Sequence, residues 1–230
     1  AYLHGKYIRE RAMELISIAH PKFRPWLIEE AKKGFLIFKD QAFIPGKEGE
    51  YPEHLETYRT TKTGLNIFLR PVKISDEPLL KDFFYSLSED SRYRRFLSAR
   101  REMPHDFLQK FVVIDYTKQM AILAIIRHEE KEEVIGVGRY ALLEDMHFAD
   151  IAFAVKDDCQ NKGIGAELFS YLTYLAKKKG LLGFTALVLL ENQAMLHLIR
   201  KMGFDLEQRL DDGVYEIKMT FKKESRSGGR

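Results

Sequence analysis

A single cysteine stands in 230 residues, so no internal disulfide framework can form, which agrees with a reducing compartment. Cys159 has no histidine partner nearby, and the seven histidines make neither a His-Glu-x-x-His nor a His-x-His cluster, so no metal is expected. Long hydrophobic runs are missing too. The longest, Met120 to Ile126, is far below the ~20 residues of a membrane helix, and no N-terminal segment reads as a signal peptide. A cytoplasmic protein with no membrane partner is the expectation. Charge of one sign is scarce: 37 Lys and Arg face 34 Asp and Glu, giving +3, and basic runs such as Arg92-Tyr93-Arg94-Arg95 are short, which argues against nucleic acid. No Gly-x-Ser-x-Gly elbow or other nucleophile signature is found.

What the chain does have is apolar material for a core, 45% of residues, in a length suited to one domain of moderate size plus an attachment. Tyr2 to Lys33 is dense in helix formers. One apolar stripe (Ala12, Leu15, Ile16, Ala19) is broken by His20-Pro21, and a second (Trp26, Leu27, Ala31) ends at Gly34. Pro45, Gly46, Gly49, Pro52 and Gly64 lie among charged residues and read as a linker. The expected organisation is therefore a helical segment at 1–45, a linker at 46–64, a main domain at 65–222 and a disordered tail at 223–230.

Within the main domain, Asn66 to Val72 reads as a first strand. Helices are expected after the capping run Ser75-Asp76-Glu77-Pro78, over Ser88 to Phe96 and over Pro104 to Phe111. Met120 to Arg127 and Glu133 to Leu142 form a hairpin across a charged turn, Phe148 to Val155 is a further strand, and Asp211-Asp212-Gly213 turns a closing hairpin. This alternation argues for an α/β (α+β) layer structure around one mixed sheet flanked by helices.

Phe148 to Val155 runs through Cys159-Gln160-Asn161-Lys162-Gly163-Ile164-Gly165 into an apolar helical stripe of Ile164, Leu168, Phe169, Leu172, Leu175 and Ala176. Two glycines at a helix start let backbone N–H groups converge on an anion, aided by the helix dipole. The loop lacks both the Lys-Ser/Thr ending of a P-loop and the three-glycine dinucleotide spacing. A buried strand, Phe184 to Leu189, then Asn192, another helix and Gly203-Phe204 complete the order. Gln160, Gly163 and Gly165 in this setting resemble the acyl-CoA loop, Gln-x-x-Gly-x-Gly/Ala, of the GNAT acetyltransferases.

The resemblance implies the GNAT fold, with a mostly antiparallel sheet and acetyl-CoA as co-substrate. It implies that the backbone of Phe153, Ala154 and Val155 pairs with the pantetheine arm and that Gln160, Asn161, Lys162, Gly163, Ile164, Gly165 and Ala166 hold the pyrophosphate. It also implies that an N–H near Val155 serves as oxyanion donor. Asp150 stands ten residues before Gln160, where the similar bacterial protein lysine acetyltransferases carry a glutamate as general base. Alternation puts it on one face with Ala152 and Ala154, directed either to an acceptor cleft or to solvent. The family's usual proton-donating tyrosine, seven residues after the asparagine, is replaced by Ile199. His197 is expected to face elsewhere, whereas Asn192 is suited to cap its helix and to bond pantetheine or a water. Ser91 to Phe96 resembles the helix bordering the acceptor site, with a solvated basic face as the alternative.

Arg9-Glu10-Arg11-Ala12, continuing through Ile16 to Arg24, resembles the closing segment of the acetyl-CoA hydrolase/transferase family, without a match to that family's catalytic glutamate. The expected function is acetyl transfer to an amine, chiefly a protein lysine, in a domain fused to a CoA-transferase-like enzyme. A non-catalytic acetyl-CoA sensor and a small-amine acetyltransferase are the alternatives.

Overall fold

The computed structural model of the protein describes residues 3–44, 49–97, 101–128, 131–144 and 147–222. The expected tail at 223–230 and the tip of the first hairpin lie outside the described residues. Two helices open the chain, α1 (Ile8–Ile18) and α2 (Arg24–Lys33), separated where Pro21 starts a 3-10 turn. They bury Met13, Ile16, Ile28 and Ala31 against one another and against Ile37 and Ile74. Glu14 ties this pair to the rest of the molecule, accepting from Lys6 Nζ at 2.7 Å and Ser75 Oγ at 2.6 Å.

Eight strands make one sheet: β1 (Thr57–Thr60), β2 (Asn66–Pro71), β3 (Gln119–His128), β4 (Lys131–Leu142), β5 (Phe148–Val155), β6 (Gly183–Leu189), β7 (Asp205–Asp211) and β8 (Val214–Thr220). Their spatial order is β1-β2-β3-β4-β5-β6-β8-β7, and β5 with β6 is the parallel pair in an otherwise antiparallel sheet. β1 lies in the segment expected as a linker. It is a short, mostly exposed edge strand, so it carries no alternation of apolar residues for a sequence reading to detect.

Alternate residues of the strands feed two cores. One face, with Leu123, Ile125, Val134 and Val137, is covered by α3 (Glu77–Ser86), α4 (Glu89–Phe96) and α5 (His105–Val112), which contribute Phe83, Phe84 and Leu108. The other face, with Ile122, Ile151, Phe184 and Ile217, is covered by α6 (Ile164–Lys178) and α7 (Gln193–Lys201) through Leu168, Phe169, Leu172, Leu196 and Ile199. Gly136 and Gly138 leave room on β4 for α6: a Cβ on Gly138 would sit 2.9 Å from Leu172 and Phe153. The closing hairpin turns at Asp212 and Gly213, whose φ values of 42° and 77° make the positive-φ pair that two-residue hairpins favour. Among the described residues no helix is long and apolar enough to cross a membrane.

Candidate active site

The site begins where two strands part. β5 pairs with β6 only through Phe148–Gly183, Ala149–Phe184 and Asp150–Thr185, after which β6 continues along β8 while β5 continues along β4 to Val155. Phe148 and Lys156 bond towards β4, and His147 bonds towards β6. Backbone alternation therefore aims the N–H and C=O of Phe153 and Val155 into the wedge. Gln160 Nε2 donates to the Val155 carbonyl at 3.2 Å, so the Val155 N–H is the group left for a ligand. The end of β5 is held by a bulge on β4, where the register with β3 shifts and the Ile135 carbonyl accepts from Lys156 N–H.

Beyond Lys156 the chain makes a 3-10 turn (Asp157–Cys159), passes Asn161 and Gly163 at φ 60° and 88°, and enters α6. The N–H groups of Asn161 through Gly165 have no acceptor among the described residues and lie at the positive end of a 15-residue helix, an anion-binding arrangement. Ile164 is 1% exposed, so only its backbone is available; Lys162 is exposed. The loop is pinned from both sides. Thr63 Oγ1 donates to the Lys162 carbonyl at 2.9 Å, and Asp157 accepts from Ser88 N–H, Ser88 Oγ and Ser91 Oγ at 2.7–2.8 Å. Burial pushes the Asp157 carboxyl up, but these serine bonds outweigh it and hold the group below its ordinary range. Cys159 is buried, and burial together with neighbouring Asp158 raises its thiol pKa, the opposite of an activated nucleophile.

Asp150 sits at the vertex of the wedge, on the sheet face that carries α3, α4 and α5. It touches solvent, yet the surrounding protein raises its pKa, against the pull of Arg95 and Arg139. Arg139, from β4, donates to Gln119 Oε1 at 2.7 Å and to the Lys110 carbonyl at 3.5 Å, with its guanidinium 5.0 Å from the Phe111 ring centre. Arg95, from α4, lies over Phe96 and has no hydrogen-bond acceptor or ion-pair partner among the described residues. Burial and the like charge of Arg139 pull it down to about 10. Beside Asp150 opens a cavity of about 510 Å³, lined by Thr185 and Leu187 of β6 and by Glu207, Arg209, Glu216 and Lys218 of the last hairpin. Sequence reading missed Arg139, Ser88 and Thr63 as neighbours of the site; each comes from a distant segment, and only the basic run at Arg92 to Arg95 gave a signal.

Asn192 caps α7, its Oδ1 accepting from Met195 N–H at 3.2 Å, so its amide N–H₂ remains for other bonds. Ile199 is 1% exposed and His197 points to solvent, so neither supplies a proton in the wedge. Among the described residues no three His, Cys, Asp or Glu side chains gather as a metal site.

A sheet that splits beside a helix-capped anion loop is matched in known proteins. Residues 66–205, more than half of the chain, match the family described as the acetyltransferase (GNAT) domain. The chain belongs to the GNAT acetyltransferase family. Residues 1–31 match a second family, the acetyl-CoA hydrolase/transferase C-terminal domain. An acetyltransferase of Pseudomonas aeruginosa is 27% identical over 154 residues, 67% of this chain and 83% of that protein. Acetyltransferase Pat of Mycolicibacterium smegmatis is 30% identical over 145 residues, 62% of this chain and 42% of Pat, so the chain spans less than half of that relative. The GNAT domain of S. lividans PAT shares the fold with a TM-score of 0.69 at 24% identity, covering 75% of this chain and all of that one. As a GNAT-type N-acetyltransferase the protein uses acetyl-CoA, the co-substrate of GNAT domains.

Proposed function

We propose that this GNAT domain acetylates a protein lysine, with Asp150 as general base, and that residues 1–45 are the C-terminal remnant of a CoA-transferase-like enzyme joined through 46–64 to the domain at 65–222. The observation that carries the catalytic reading is the position of Asp150 at the vertex of the β5–β6 wedge, between the backbone groups of Phe153 and Val155 and the cavity of about 510 Å³. In this reading the pantetheine arm pairs with Phe153 and Val155, and the N–H groups of Asn161 to Gly165 and the Asn192 amide complete the acetyl-CoA site. The Gln160 side chain acts indirectly, holding Val155 and Ser91. The carboxylate of Asp150 takes a proton from the lysine ammonium, directly or through a water, and the neutral amine attacks the thioester carbonyl. The Val155 N–H bonds the developing oxyanion, the attacking nitrogen gives up its second proton to water, the carbon–sulfur bond breaks, and the thiolate takes a proton back from that water because position 199 offers no donor. The lysine acceptor is supported by similarity to Pat, and the fusion by the match over residues 1–31. A cytoplasmic setting fits the single, unpaired Cys159.

The test is mass spectrometry of lysine acetylation after protein and acetyl-CoA are added to a deacetylated cell extract, with Asp150→Asn alongside. Acetyl sites that need the unmodified protein support the reading. Acetyl-CoA binding with no such sites removes it and favours the sensor or small-amine alternative, the former already suggested by Ile199.

A further inference from the structure

The sheet ends in an open edge. β7 pairs with β8 alone, and all seven of its residues are exposed, Leu206 and Leu210 among them. The opposite edge, β1, has four residues, and the opening helices pack towards Ile74 on that side, so the β7 edge lies away from them. The hairpin fixes which backbone groups of β7 are unused. The Gly213 carbonyl accepts from the N–H of Leu190, just past β6, so odd-numbered residues of β8 bond towards β6 and even-numbered ones towards β7. By register those even-numbered residues meet Asp205, Glu207, Arg209 and Asp211. The N–H and C=O of Leu206, Gln208 and Leu210 therefore point out of the sheet, a row of unpaired groups that is a template for another strand.

The side chains say which strand fits. Asp205-Leu206-Glu207-Gln208-Arg209-Leu210-Asp211 nearly mirrors itself about Gln208. Laid antiparallel on a second copy with the two-fold axis at Gln208, Gln208 meets Gln208 and Leu206 meets Leu210, each pair exchanging both N–H···O bonds. Glu207 then meets Arg209 on both sides of the axis, in the close non-hydrogen-bonded positions where opposed side chains interact most. A two-residue slip either way sets Glu207 against Glu207 or Arg209 against Arg209, so charge selects the register. The mirror fails at the ends, where Asp205 meets Asp211, and there Lys222 stands 3.9 Å from Asp205.

We infer that the protein forms a two-fold dimer by antiparallel pairing of β7 with β7 of a second copy, joining two eight-stranded sheets into one. The occupant is a second copy rather than an extended peptide because the strand is complementary to itself. The dimer also bears on the site. Glu207 and Arg209 line the cavity of about 510 Å³ beside Asp150 and form its wall at the sheet edge. In the dimer the second copy's Arg209 and Glu207 stand beyond that wall, so the two cavities share one rim. This goes beyond the acyl-transfer reading and stands without it.

Sedimentation velocity over a concentration series of the whole chain tests it. The unmodified protein should rise from 26.9 kDa towards twice that mass. Gln208→Pro removes an outward N–H and no bond to β8, so it should melt like the unmodified protein at low concentration yet lose the dimer. Glu207→Arg and Arg209→Glu each set like charges opposite one another, and each alone should dimerise about tenfold more weakly. Mixed in equal amounts they should pair as well as the unmodified protein, because every opposed charge is again unlike. Lys218 lies 3.7 Å from Glu207 within the same hairpin, but any effect there is equal in the mixture and in its components, so recovery reports the register. Should Gln208→Pro fail to fold, the mixture decides. A mass that stays at 26.9 kDa up to about millimolar concentration leaves the edge to a different partner and overturns the inference. So does a dimer indifferent to Gln208→Pro, or a mixture that pairs no more strongly than its components.

Discussion

At the scale of single residues the proposed chemistry rests on one carboxylate and its electrostatic setting. Asp150→Asn keeps the shape and removes the proposed base, so kcat/KM is expected to fall about 10²- to 10⁴-fold while the acetyl-CoA dissociation constant changes little. Calorimetry beside steady-state rates checks this; a matching loss of acetyl-CoA affinity would assign Asp150 to binding instead. Partial desolvation by the protein around it raises the Asp150 pKa although the residue is exposed, so the acid limb of the pH–rate profile is expected above the ordinary aspartate range, the proposed base being competent only when deprotonated. Arg95 opposes that rise. Arg95→Gln should therefore move the limb to higher pH, and a limb that stays or moves down contradicts the coupling.

The elements decide how those residues are presented. Gly163 caps α6 at φ 88°, and a side chain there would be strained and would meet Thr61, 3.3 Å from the Cβ position. Gly163→Val is expected to weaken acetyl-CoA binding about tenfold, from the ~1–3 kcal/mol cost of such backbone strain, measured by calorimetry. Unchanged affinity would mean that this turn does not shape the anion site. Gly183, the first residue of β6, is tighter: an added Cβ would lie 2.0 Å from the Met219 carbonyl oxygen, which is backbone and cannot swing away. Gly183→Ala should therefore cost about 1–3 kcal/mol, read as a lower urea midpoint at constant slope.

For the whole molecule, buried polar contacts join the parts. Arg70, 2% exposed, makes a two-pronged bridge to Asp76 at 2.6 and 2.9 Å and a third bond to Glu132 at 2.9 Å, so β2, the start of α3 and β4 meet at one cation. Arg70→Met strands Asp76 without its charge partner and is expected to cost about 3–5 kcal/mol in denaturant unfolding. The double variant with Asp76→Leu should recover a large part of that, and no recovery would mean the loss is one of packing. The docking of α1 has a pH sign of its own. Burial raises the Glu14 pKa, but bonds from Lys6 and Ser75 leave it below the ordinary 4.5 overall. A group lowered in the folded state contributes fully above that ordinary value and loses its contribution as pH falls through the lowered one. Amide exchange across Ile8–Ile18 should therefore quicken at acid pH relative to Asn66–Pro71 and stay level from pH 6 to 8; quickening on the alkaline side would contradict this assignment.

Periodicity and capping chemistry were readable without coordinates because both are local. The stripe from Ile164 to Ala176, the glycines at 163 and 165, the Asn192 cap and the Asp212-Gly213 turn act within a few residues of chain, so their spacing already describes the strand, anion loop and helix. Alternation likewise put Asp150 opposite Ile151 and Phe153. It did not say which helices cover which face, nor that β5 and β6 separate at Asp150–Thr185. Strand pairing is a long-range choice, set by register and by which helices fit the glycine gaps of β4. The same is true of Arg139 meeting Arg95 beside Asp150, residues of three separate elements, and of β1, whose four residues become a strand because β2 lies next to them. The strand, glycine loop and helix that mark the family are written along one stretch of chain; the wedge and the cavity around them exist only once the sheet is assembled.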